Sequence, residues 1–220
     1  MGVTGATGYR VKVIGPNLDW TSPDLVPGTE FDYPADAPPL TPGNSYKVIV
    51  TAGDTSSEEG ESEDTSFAVL AASESEEVRE NEAKIRSLNL GDAPTRLLIA
   101  HLYSSNNLYA EAIEQLEPLA RDRQNTESAL LLLLARLNRY TALELQAEDY
   151  YLGAAQRSKQ VGDIDGEALA QHELGELYDK TLGRSSAARQ SYSRAIELYR
   201  NDLGDEDTAK EIEEKLKQLK

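Results

Sequence analysis

The chain has 220 residues, 39% of them hydrophobic and 28% charged, with a formal net charge of −17. That much negative charge repels a phosphate backbone and an anionic membrane surface, which argues against nucleic acid and membranes as partners. There is no cysteine, so disulfides, thiol chemistry and thiolate metal sites are excluded. The longest apolar run, residues 129–135, falls far short of a membrane span.

No basic stretch followed by an apolar core opens the chain, so no signal peptide is visible. The lack of cysteine leans towards an exported protein. Composition divides the sequence into an all-β part, residues 1–72, and a helical part, residues 73–220. In the first, "GYRVKVI" alternates: Tyr9, Val11 and Val13 share one face, Arg10 and Lys12 the other. Strands are predicted near 8–14, 29–33, 45–52 and 65–70, with a weaker one near 18–21. Pro27-Gly28 and Pro42-Gly43 mark turns. Residues 54–64 hold six carboxylates. They read as a solvated loop whose charge deters edge pairing, and they lack the Asp-x-Asp-x-Asp-Gly spacing of a calcium loop.

From Ser73 onward the spacing is helical. Ser73 and Glu76 suggest a capping box for a helix reaching about Leu88. Asp92 with Pro94 marks the next start, and Asp205 can cap a last helix with Ala209, Ile212, Leu216 and Leu219 on one face. About eight helices are expected. Alanines 112, 147 and 188 recur at gaps of 35 and 41 residues. "AHLYSSNNLYAEAIEQLE" and "ELGELYDKTLGRSSAARQSYSRAIELY" both resemble the tetratricopeptide repeat, whose period is about 34. A degenerate middle copy carries Asn138 where the family has Tyr.

The segment "LTPGNSYKVIVTA" places Leu40, Pro42, Gly43 and Tyr46 as in the tyrosine corner of fibronectin type III and related immunoglobulin-like sandwiches. Together the two halves resemble exported cyanobacterial proteins that join an immunoglobulin-like module to tetratricopeptide repeats. The fold class implied is α+β multidomain: a partial immunoglobulin-like β-sandwich followed by an all-α tetratricopeptide-repeat solenoid. On that alignment the first two sandwich strands have no sequence to occupy. Truncation, closure of a small sandwich, or a strand supplied by a neighbouring molecule would each account for this. The last makes Tyr9, Val11 and Val13 candidate self-association residues and residues 1–8 a candidate lead segment.

The resemblance also implies a peptide-binding groove. It would be lined by Leu97, His101 and Ser104, then Leu132, Arg136 and Arg139, then His172, Glu176 and Asp179. Arg136 and Arg139 could receive an acidic peptide or pair with acidic neighbours. His101 and His172 have no His-x-x-x-His or cysteine partner, and no nucleophile elbow or phosphate loop is present. No catalysis, metal or cofactor is therefore expected, and the partner is protein: a homo-oligomer or filament, or a bound peptide.

Overall fold

The computed structural model describes residues 7–28, 31–53, 65–121 and 126–219. It contains two compact units, Met1–Arg79 and Glu80–Lys220. Composition changes where helix α1 (Ala72–Ser87) begins, and the division by compactness falls within that helix.

In the first unit β1 (Tyr9–Gly15), β2 (Leu18–Thr21), β3 (Ser45–Ala52) and β4 (Thr65–Ala68) form one antiparallel sheet in the order β2-β1-β3-β4. Val13 lies opposite Trp20 and Val48, and Val11 opposite Val50. The alternation therefore gathers the apolar side chains on one face. Val11, Val13, Leu18 and Tyr46 are buried there, with Trp20, Val26, Tyr33, Leu40, Val48 and Val69 packed against them. Lys12 pairs with Asp19 on the other face at 3.0 Å, an exposed contact of little energetic weight.

Three expectations are corrected. Among the described residues the four strands make a single layer, so the predicted sandwich is not present; loop side chains cover the apolar face instead. The predicted strand near 29–33 does not form over residues 31–33, and residues 29–30 lie outside the described ones. Phe31 stacks on Trp20 at 6.1 Å and Tyr33 meets it edge-on at 5.0 Å, so the aromatic contacts win over strand pairing, and Pro34 supplies no N–H for a ladder. Finally, β1 is an interior strand bonded to both neighbours, so Tyr9, Val11 and Val13 offer side chains but no free backbone edge. The acidic run 54–64 and most of the proposed lead segment, residues 1–6, lie outside the described residues.

The Tyr46 hydroxyl does reach back to the backbone five residues upstream. The Thr41 N–H donates to the Tyr46 hydroxyl at 2.7 Å, and Tyr46 is 2% exposed. Its ring lies where a side chain on Gly15 would be, which is why β1 ends in glycine.

The second unit holds α2 (Asp92–Ser105), α3 (Tyr109–Leu116), α4 (Ser128–Tyr140), α5 (Glu144–Val161), α6 (Ile164–Lys180), α7 (Ser185–Glu197) and α8 (Glu206–Gln218). With α1, these are the expected eight among the described residues. A 3-10 turn, Glu117–Ala120, extends α3, and a π turn, Leu198–Asp202, extends α7. The α1 cap sits two residues earlier than expected: the Ala71 N–H donates to Glu74 Oε2 at 2.9 Å. Asp205 caps α8 through the Thr208 N–H at 3.0 Å, and Ala209 and Ile212 are fully buried beneath it.

The repeat shows in the backbone. The amides of Leu108, Leu143 and Leu182 return to the carbonyls of Tyr103, Asn138 and Leu177. The amides of Ala112, Ala147 and Ala188 then open the next helix on Leu108, Leu143 and Arg184. Asn107, Ala142 and Gly183 supply the positive φ of each corner, at 60°, 56° and 61°. Small residues recur at matching positions of the successive pairs: Ala100 and Ala112, Ala135 and Ala147, Gly175 and Ala188, all buried. Asn138 compensates for its missing aromatic ring by donating to the Leu134 carbonyl at 2.8 Å.

One further residue ties three helices together. Asp163, the N-cap of α6, accepts the Gly166 N–H at 2.9 Å, the Ser128 hydroxyl of α4 at 3.0 Å and the Ser158 hydroxyl of α5 at 3.1 Å.

Candidate interaction groove

The first helices of the successive pairs, α2, α4 and α6, carry the predicted groove residues, with α8 closing the series. Spacings of three and four residues put each set on one helix face. The predicted lining residues fall into two chemically different groups.

The α2 end is apolar. Leu97, Leu119, Ala129, Leu130 and Leu133, with Thr126 and Glu127, line an open hollow of about 550 Å³. Leu97 is 44% exposed, His101 is exposed and Ser104 partly so. Leu132 is not in this hollow. It is 6% exposed and belongs to the core, one residue out of phase with Leu133, which lines the hollow.

The α4–α6–α8 end is ionic. Arg136 binds Glu173 of α6 through both nitrogens of its fork, Nε–Oε2 at 2.9 Å and Nη2–Oε1 at 2.5 Å. This pairing raises the affinity of Arg136 for its proton, the Glu173 hydrogen bond being the largest cause. Arg139 makes no ion pair within 4 Å to a carboxylate among the described residues. It lies half-buried near Tyr151, Glu173 and Glu176. Glu176 accepts from Lys215 of α8 at 2.6 Å and from Lys180 at 3.4 Å. Burial alone would raise the Glu176 carboxyl, but the bond and charge of Lys215 outweigh it and hold the group below its usual range. His172 faces the same lysine at 2.9 Å. Asp179 is partly buried near Tyr192.

Two phenols sit under this end. Tyr151 and Tyr192 are fully buried, and among the described residues their hydroxyls have no partner in hydrogen-bonding geometry. Arg139 and Glu173 come near the first and Asp179 near the second without reaching it in that geometry. Burial is the main reason both hydroxyls resist ionisation.

Sequence reasoning missed Glu173 and Lys215. Three carboxylates on α6, at 173, 176 and 179, are each a turn or less apart, so spacing alone does not say which one meets Arg136. Lys215 stands beside the apolar stripe of α8, and only the docking of that helix brings it into the groove. Among the described residues no group of three or more His, Asp or Glu is placed to hold a metal, and no helix is long and apolar enough to cross a membrane.

The helical unit is an array of helix pairs joined by corners that recur along the chain. No protein-family model matches the sequence, and no curated protein matches it. Solved structures resemble it at low identity. The crystal structure of MamA shares 20% identity over 64% of this chain and 85% of that one, with a TM-score of 0.45. BtubC (BKLC) from P. vanneervenii shares 21% over 67% and 63%, with a TM-score of 0.43. A Podosopora anserina chain described as a kinesin light chain with nearly identical TPR-like repeats shares 16% over 67% and 93%, with a TM-score of 0.44.

Proposed function

We propose that the chain is a non-catalytic protein-interaction scaffold that self-associates by completing its open sheet with a strand from another copy. The observation that carries this reading is the single-layer sheet. Its apolar face is covered by loop side chains, and Leu25, Phe31 and Phe67 are each left 38% exposed. The strands at its edges, β2 and β4, each pair with one neighbour, which leaves one backbone side of each for strand addition. A head-to-tail contact of this kind that does not close into a ring builds a fibre. With no cysteine to oxidise, the reading suits an extracytoplasmic setting.

Sedimentation across a concentration series, at about 150 mM salt where charge is screened beyond roughly 8 Å, tests it. The mass is expected to rise with concentration, negative-stain images to show regular fibres, and Phe67→Lys to abolish both. A constant monomer mass at every concentration would reject self-association.

A second reading, an acidic peptide held in the helical groove, is favoured by one residue. Arg136 is already neutralised by Glu173, but Arg139 has no such carboxylate. An Arg139→Ala variant is then expected to lose at least tenfold in affinity for an acidic peptide, the scale of a lost charge-assisted bond, while Arg136→Ala loses less. Equal binding by wild type and Arg139→Ala would remove this reading.

A further inference from the structure

The ionic end of the groove depends on one imidazole being uncharged. His172 Nε2 lies 2.9 Å from Lys215 Nζ. An ammonium only donates, so the nitrogen facing it must present its lone pair, which leaves the proton of a neutral imidazole on Nδ1. Lys215 gives a second hydrogen to Glu176 at 2.6 Å. The His172 side chain is 17% exposed, hemmed by the rings of Tyr192 on α7 and Tyr199 in the π turn.

We propose that His172 is an acid-sensitive lock on the last helix: neutral, it accepts Lys215 and holds α8 against α6; protonated, it sets two cations face to face and lets α8 loosen. The charged groups facing it are Glu173 and Glu176 on α6, and Glu211 and Lys215 on α8. The three carboxylates favour the imidazolium. Burial and then Lys215 oppose it and prevail, holding the ring below its ordinary value. The sign follows. As pH falls through about 6.5, the undocked or unfolded imidazole takes a proton before the docked one does. Docking of α8 is thus at full strength above that pH and weakens below it, until the docked ring is itself protonated. Any consequence for groove partners rests on the groove reading, but the lock itself does not.

The chain has two histidines, so a proton NMR titration resolves His172 once His172→Gln has assigned its resonance. His172 is expected to titrate below about 6.5, and Lys215→Met to move that titration upward. Hydrogen exchange, corrected for intrinsic rates, is then compared at about pH 7.5 and about 5.5. Protection in α8 should fall by up to about tenfold for each unit between the docked and free values, with α4 unchanged. In His172→Gln, whose amide accepts at both pH values, the fall should vanish. Titration at or above the ordinary value, or an equal loss of α8 protection in His172→Gln, would overturn the lock. If the glutamine variant weakens α8 at every pH, the Lys215→Met titration still decides. No partner enters these measurements, so failure here leaves the proposed function standing.

Discussion

Replacing Gly175 by valine is expected to lower the stability of the helical unit by about 3 kcal/mol or more. Even one added carbon at Gly175 would overlap the ring of Tyr192, and Tyr192 is fully buried, so the ring has nowhere to go. A glycine inside a helix costs about 1 kcal/mol relative to alanine. That cost is tolerated here because α6 and α7 approach closely through it. Tyr192→Ala alone should cost about 3–5 kcal/mol by leaving a cavity. The double variant should cost less than the sum of the two, because the cavity receives the valine; a coupling of about 0.5–3 kcal/mol is expected for groups in contact. Urea unfolding followed by the helical circular dichroism signal measures all three. Independent, additive losses would show that the ring and the glycine do not share one space.

The second large effect is expected at Asp163. Its carboxylate joins α4, α5 and the first turn of α6 through three hydrogen bonds. Asp163→Ala removes a helix cap, worth about 0.5–2 kcal/mol, and leaves two serine hydroxyls without their charged acceptor. A total loss of about 2–4 kcal/mol follows, with Asp163→Asn retaining part of it through the remaining oxygen. The Gly166 N–H first, aided by the two hydroxyls against burial, holds the Asp163 carboxyl below its ordinary value. This contribution is therefore fully present above about pH 3.8 and is lost as pH falls through the lower, folded-state value. Acid unfolding should begin at higher pH in wild type than in a variant whose Asp163 contribution is already absent, once both are normalised to neutral-pH stability. Identical normalised profiles would show that Asp163 does not contribute in this way.

The helical half was legible because small residues cannot be replaced where helices touch. The alanines at 112, 147 and 188 and the Asp205 cap all appear where spacing puts them. The 41-residue gap is also accounted for: Gly175 and Ala188 are one residue further apart than Ala100 and Ala112, and the other extra residues fall between Ala147 and Gly175, across the long α5 and its connection to α6. The β half was less legible. Trp20, Phe31 and Tyr33 each have strong strand preference, yet only Trp20 lies in a strand, because three aromatic rings on one short connection pack on one another more favourably than they extend. Leu97, Arg136 and Glu176 were grouped by the tetratricopeptide resemblance rather than by any spacing in the sequence. Which charge meets which depends on the offset between neighbouring helices, and no one-dimensional pattern contains that offset.

The cross-links Arg136–Glu173 and Glu176–Lys215 run between alternate helices, α4 to α6 and α6 to α8, skipping the helices between. They tie alternate helices to one another directly. Because they are ionic and partly open to solvent, dissolved salt softens them while leaving the apolar contacts between consecutive helices intact. Salt therefore loosens the ties between alternate helices before it touches the packed core.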